Sequence, residues 1–252
     1  MTDPTLLTTA WLAAPAKLEL PPDEIHVWRA SLRLEPQVLE LLTPALAPDE
    51  RSRAARYVFP RDRESFMAAR GILRNLLGLY LDQPAGSLEF EYGSSGKPAI
   101  RSGRLGDPSE AIRFNLSHAH SLALYAFARG REVGIDLERS QADFDGESVA
   151  QRAFSARELA ELRALSPESH AEGFFVRWTR KEAYLKARGE GFQIPPDSVD
   201  LSSALERPND SYSGSGGRWR LISFRPGPEM VAALAAVDGG GWRTRYLEWR
   251  LR

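Results

Sequence analysis

Apolar and polar positions alternate with a period of two in several short stretches and with a period near 3.6 in two long ones. Ile25-His26-Val27-Trp28-Arg29-Ala30-Ser31-Leu32 alternates and stops short of Pro36, which predicts a first strand. Residues 1–24 are rich in Pro and Thr and predict a loosely wrapped lead-in, and Val38 to Leu46 predicts a short helix. Pro60 opens a longer helix, with Phe66, Ala69, Leu73, Leu76, Leu77 and Tyr80 as its apolar stripe and Pro84 and Gly86 beyond its end. Leu88 to Tyr92 reads as a strand, 93–98 as a loop and 102–110 as a Gly/Pro/Asp-rich connector. Ile112 to His118 and Leu122 to Ala128 read as strands, the second almost wholly apolar and therefore central. With Val133 to Glu138 after the turn at 129–132, they predict a three-strand meander.

The C-terminal half opens with helices. Ser155-Ala156-Arg157-Glu158 matches a capping box, and a long helix is expected from about Glu168 to Arg188, closed by Gly189. Arg207 to Gly217 is Ser/Gly/Asn-rich and reads as a mobile loop. Trp219–Phe224, Met230–Val237 and Trp242–Leu251 follow as strands, with Gly239-Gly240-Gly241 expected to turn the last two into a hairpin. No βαβ alternation is sustained, so the fold class is α+β. Each half carries one long helix and a set of strands, which predicts two similar lobes, 1–132 and 133–252. No repeat recurs at a fixed period.

Composition narrows the function. The 252 residues, 42% hydrophobic and 27% charged, are those of an ordinary globular chain. A net charge of −1 gives no global field for nucleic acid or an anionic membrane. With no cysteine, thiolate nucleophiles, disulfides and Cys-ligated zinc are excluded. No leader pattern and no apolar run long enough to span a bilayer is present, and a cytoplasmic setting is the expectation.

Two stretches carry candidate chemistry. In Val133-Gly134-Ile135-Asp136-Leu137-Glu138, a strand places Asp136 and Glu138 on one face. Two carboxylates side by side repel unless a cation lies between them. A strand edge running into solvent would also tolerate the alternation. In Trp178-Thr179-Arg180-Lys181-Glu182-Ala183-Tyr184-Leu185-Lys186, a helix aligns Trp178, Glu182 and Lys186. Taken alone, the Glu–Lys spacing is also that of an exposed helix pair worth about 0.2–0.5 kcal/mol. Brought together, Asp136, Glu138 and Glu182 form a three-carboxylate site of hard oxygen donors suited to Mg²⁺. Arg53, Arg70, Lys97 and Lys186 then serve to neutralise phosphate. A Ser117–His118–Asp136 hydrolase triad is rejected, because neighbours on a strand point to opposite faces. His118 and His120 as zinc ligands are disfavoured, and neither a P-loop nor a dinucleotide-binding glycine motif is present.

Phe114-Asn115-Leu116-Ser117-His118, the 133–138 stretch and the 178–186 stretch, in this order, resemble the 4′-phosphopantetheinyl transferases of the longer, surfactin-synthetase-activating type. Gly96-Lys97-Pro98 and Gly189-Glu190-Gly191-Phe192 extend the resemblance, which spans roughly 47–192. It implies two similar α+β lobes in one monomeric chain, with coenzyme A between them. It implies transfer of the phosphopantetheine arm of coenzyme A to a serine of an apo acyl or peptidyl carrier protein, with release of adenosine 3′,5′-bisphosphate. Asp136, Glu138 and Glu182 then correspond to ligands of Mg²⁺, with Mn²⁺ as the alternative, and Glu182 also to the base that deprotonates the serine. Lys186 corresponds to a pyrophosphate contact. Lys97, Ser117 and His118 correspond to coenzyme A contacts, and Arg53 and Arg70 to the cradle of the nucleotide end. Glu50 stands where some members carry a base, which shifts the 3′-phosphate contact toward Arg51 or Arg53. A non-catalytic coenzyme A or carrier-binding module and a metal-dependent phosphohydrolase stay open on the same residues.

Overall fold

Two sheets, each backed on its outer face by a 22-residue helix, carry the chain. The structure is a computed structural model and describes residues 6–15, 17–93, 96–101, 109–141, 144, 146–189, 194–204, 209–214 and 217–251. The strands are β1 (Leu7–Thr8), β2 (Leu12–Ala13), β3 (Glu24–Ser31), β4 (Phe90–Tyr92), β5 (Pro98–Ile100), β6 (Ile112–Ala119), β7 (Leu122–Arg129), β8 (Val133–Arg139), β9 (Asn209–Gly214), β10 (Gly217–Arg225), β11 (Met230–Val237) and β12 (Arg243–Glu248). The helices are α1 (Pro36–Leu42), α2 (Pro48–Ala54), α3 (Pro60–Leu81), α4 (Glu147–Ala153), α5 (Ala156–Arg163) and α6 (Pro167–Arg188). The first sheet runs β2-β12-β3-β7-β6; the second runs β1-β10-β11-β8 with β9 on β10. β4 and β5 form a separate pair. This is the α+β class the sequence pattern predicts.

Strand alternation sets the layers. Ile25, Val27, Leu124, Ala126 and Ala128 of the first sheet pack against Val133, Ile135, Leu137, Ala232 and Leu234 of the second, forming a core between the sheets. The opposite face of the first sheet, with Trp28, Tyr125 and Phe127, receives Ile72, Leu73, Leu76 and Leu77 of α3. The opposite face of the second, with Trp219, Leu221, Ala233 and Ala235, receives Ala183, Tyr184 and Ala187 of α6. Both faces of β7 and β11 are therefore buried, which is why both read as nearly unbroken apolar runs.

Three connections differ from the sequence expectation. After β6 and β7 the chain leaves the first sheet, and β8 pairs with β11 rather than β7, so the meander stops at two strands. β12 does not fold back on β11; it lies parallel to β3 and β2 in the first sheet, while β1 joins β10 in the second. The terminal strands thus cross between the sheets. Alternation specifies which face of a strand is buried but not which neighbour it pairs with. Residues 209–214, inside the stretch expected to be a mobile loop, form β9, because the antiparallel partner β10 satisfies their backbone groups. The long helix of the C-terminal half does end at Gly189, in the left-handed conformation with φ 69°. Glu190 to Phe192 lie outside the described residues. No described helix is long and apolar enough to cross a membrane.

Candidate active site

The edge strand β8 faces α6 with Gly134, Asp136 and Glu138. Gly134 makes the approach close: a Cβ there would stand 2.1 Å from the Ala183 carbonyl oxygen and 2.4 Å from the Ala187 nitrogen. That contact holds the last two turns of α6 against the strand and brings Glu182 and Lys186 to its carboxylates. Lys186 Nζ donates to Asp136 Oδ1 at 2.5 Å and to Ser117 Oγ at 3.2 Å, and Ser117 Oγ donates to Asp136 Oδ1 at 3.0 Å. Trp178 Nε1 donates to Glu138 Oε1 at 3.2 Å, and its ring stacks on Phe174. The two dense stretches of the sequence therefore meet at one place.

β6, the edge strand of the other sheet, closes the junction. Asn115 Oδ1 accepts from the Ile135 N–H at 2.9 Å, and Ser117, two residues on and on the same face, reaches Asp136. Ser117 is buried and turned to Asp136, while His118 opens to the other side, as the alternation requires. His120 lies in the turn after β6 with φ 56°, beside Arg139, so it does not share the strand face of His118.

The site carries an excess of negative charge. Burial and the Asp136 carboxylate push Glu182 above the ordinary glutamate range, with Lys186 opposing and Glu138 adding to the rise. Burial and Asp136 push Glu138 up in the same way, against the Trp178 hydrogen bond and Lys186. Asp136 Oδ2 is buried without a hydrogen-bond partner among the described residues. As they stand, no three His, Cys, Asp or Glu side chains among the described residues are close enough together to hold a metal ion. The Lys186 ammonium is the cation in contact with Asp136.

Two cavities open beside this cluster. One, of about 310 Å³, is lined by Pro98, Leu116, Leu185 and Pro196 together with Glu182 and Lys186. The other, of about 430 Å³, is lined by Arg53, Arg56, Tyr57, Arg70 and His118 among others. Gly96, Pro98 and Leu116 border both. The cavity wall and the Lys186 charge hold His118 below the ordinary imidazole range.

Arg70 reaches the second cavity from a closed network. Glu50 is buried and accepts from Arg70 Nε through Oε1 and from Arg74 Nε through Oε2, both at 2.6 Å. Arg70 Nη2 also donates to the Tyr92 hydroxyl. The acid at position 50 is thus the counter-ion of two buried guanidiniums, and Arg53 and Arg56 are the exposed cations of that rim. Lys97 is largely buried and donates to Glu132 Oε2, the Val133 carbonyl and the Ala187 carbonyl at 3.1–3.2 Å, tying the start of β8 to the end of α6. Desolvation holds its ammonium below the ordinary lysine range, against the pull of Glu132.

Residues 132–229 match the model of the 4′-phosphopantetheinyl transferase superfamily, and residues 27–129 match that of the 4′-phosphopantetheinyl transferase N-terminal region. The chain is 40% identical over 243 residues to the 4′-phosphopantetheinyl transferase HetI of Nostoc sp., covering 96% of this chain and 99% of that one. The chain belongs to the 4′-phosphopantetheinyl transferases. It is also 33% identical over 183 residues to a putative 4′-phosphopantetheinyl transferase of Synechocystis sp., covering 71% of each chain. The L-aminoadipate-semialdehyde dehydrogenase-phosphopantetheinyl transferase of Rattus norvegicus is 27% identical over 226 residues, covering 83% of this chain and 73% of that one.

In this transferase, sequence reasoning missed Gly134 and Asn115 as positioning residues and Glu50 as a counter-ion. Gly134 carried a signal, since a glycine inside a strand marks a close approach of other backbone. Asn115 carried a weaker one, as a polar residue between Phe114 and Leu116. Glu50 carried none, because the arginines it serves lie 20 and 24 residues away.

Proposed function

We propose that this transferase moves the 4′-phosphopantetheine group of coenzyme A to a serine of an apo acyl or peptidyl carrier protein and releases adenosine 3′,5′-bisphosphate. The observation that carries the reading is the meeting of Asp136, Glu138, Glu182 and Lys186 beside a cavity edged by Arg53, Arg56 and His118. The arginine-lined cavity suits the phosphates and base of the nucleotide end. The smaller cavity, apolar on Leu116, Leu185 and the prolines, suits the pantetheine arm. With both sheets in one chain, the active form is a monomer.

The donor set fits Mg²⁺, with Mn²⁺ as the alternative. All three acids offer hard oxygens, Asp136 Oδ2 is a buried acceptor without a partner among the described residues, and Glu138 and Glu182 are raised by burial and by the charge of Asp136, which a cation would offset. Asp136, Glu138 and Glu182 would hold the ion. When bound, it neutralises the pyrophosphate and makes phosphorus a better electrophile. Lys186 supplies a second positive charge at the same point, and Trp178 and Ser117 fix the carboxylates. The serine oxygen attacks the phosphorus that bears the pantetheine. The bond from that phosphorus to the bridging oxygen breaks, and the bridging oxygen leaves on the nucleotide. The serine proton passes to Glu182, directly or through a water.

The test is incubation with coenzyme A, Mg²⁺ and a panel of apo carrier proteins, read by intact mass. Addition of one phosphopantetheine to a carrier serine, with equimolar adenosine 3′,5′-bisphosphate, is the expected result. Coenzyme A binding with no mass gain on any carrier would contradict it.

A further inference from the structure

Lys181 stands one position before Glu182 yet turns away from the site into the interior. It is fully buried, a costly place for an ammonium unless every proton finds an acceptor. Its Nζ donates to Glu158 Oε2 at 2.6 Å, and to the backbone carbonyls of Val199 at 2.8 Å, Ala153 at 2.9 Å and Pro196 at 3.0 Å. Glu158 is buried as well. Its Oε2 accepts from the Ser155 N–H in the capping box of α5, and its Oε1 accepts from the Leu201 N–H. One cation thus ties four pieces of chain to α6: the end of α4, the start of α5, the turn Pro196–Ser198, and the segment of Val199 and Leu201.

One of those pieces is a wall of the site. Pro196 lines the 310 Å³ cavity together with Leu116, Glu182, Leu185 and Lys186. Lys181 and Glu182 are adjacent on one helix, so a single rigid element fixes both the carboxylate and, through Nζ, the position of the Pro196 wall relative to it. An apolar residue of similar size would fill the same volume, but it would leave the Pro196 and Val199 carbonyls without this donor and the wall free to shift.

We propose that Lys181, with Glu158, is a positioning residue that sets the width of the arm cavity by holding the Pro196 wall to α6. The assignment rests on the reading of that cavity as the pantetheine subsite. It predicts a loss confined to ligands that carry the arm, because the arginine-lined cavity owes nothing to Pro196.

The experiment compares the affinities of coenzyme A and adenosine 3′,5′-bisphosphate, both with Mg²⁺, by calorimetry. It uses the full-length wild type, Lys181→Met and Glu158→Gln. The second variant keeps an amide oxygen for the Ser155 or Leu201 N–H and serves if the first does not fold. Coenzyme A should weaken by about tenfold while the bisphosphate, which lacks the arm, stays within about twofold. Equal weakening of both ligands, or no weakening of either, overturns the assignment. A wild type that binds coenzyme A no tighter than the bisphosphate removes the arm cavity from the proposed function, and the role of Lys181 with it. Transfer to a carrier by the same wild type would show that the remainder of that reading stands.

Discussion

The helices α3 and α6 are built alike and used differently. Each has 22 residues, begins with proline, ends at a residue with positive φ, and buries its middle against a sheet. Each carries a charged pair four residues apart, Arg70 with Arg74 on α3 and Glu182 with Lys186 on α6. On α3 the pair is closed by Glu50, one carboxylate between two guanidiniums, with Tyr92 and the Leu88 carbonyl taking further donors. On α6 the pair opens toward Asp136 and Glu138, so three carboxylates face one ammonium. A closed network stabilises the fold around it; an unbalanced one is where the proposed cation and phosphate would go. The same scaffold thus supplies a support in one half and the proposed reactive site in the other.

Breaking the closed side should have the largest effect. Glu50→Ala leaves two buried guanidiniums without their counter-ion and should cost about 3–5 kcal/mol of stability, measured by urea unfolding. Retention of wild-type stability would show that the Glu50 network is not the anchor of α2 on α3. On the open side, Gly134→Ala pushes a methyl into the backbone of α6 and shifts Glu182 and Lys186 from Asp136. A loss of about 100-fold in transfer rate is expected, exceeding the change in melting temperature in proportion. Unchanged kinetics would mean that the close contact of β8 and α6 is not needed.

The pH dependence sharpens the contrast, since the two halves respond with opposite sign. Glu182 has its folded pKa raised, so its contribution to stability is complete below the ordinary glutamate value and is lost as pH rises through the raised value. Without added metal, Glu182→Gln should therefore melt higher than wild type near neutral pH, with the advantage fading at pH 4 and in excess Mg²⁺. A lower melting temperature at neutral pH would contradict the picture of a strained carboxylate cluster. In the first sheet, burial holds His26 below the ordinary imidazole range, against Glu24. Its contribution is present above about pH 6.5 and is lost as pH falls through the folded value. His26→Gln should flatten the acid side of the stability curve below about pH 6.5, the smallest of these effects, read by unfolding at a series of pH values.

What the sequence made legible follows from range. The long helices, the Ser155–Glu158 capping box and the Gly189 stop depend on residues within a turn or two, and each is found where the pattern put it. The carboxylate face of β8 follows from a period of two, and its meeting with α6 came from the family resemblance. The crossing of β1 and β12 between sheets was not legible, because short alternating stretches look the same whichever strand they join. Lys97 and Arg70 are legible as cations that serve phosphate, and Lys181 draws no reading of its own. Burial makes each of them a tie between distant backbone or acidic groups, and that depends on contacts which spacing does not encode.

The central claim is that the β8–α6 junction performs the transfer, and intact-mass analysis of an apo carrier protein incubated with coenzyme A and Mg²⁺ tests it most directly. Wild type should add one phosphopantetheine, whereas Asp136→Ala and Glu182→Ala should lose about 1000-fold or more in rate while keeping a cooperative unfolding transition. Full transfer by either folded variant would contradict the account.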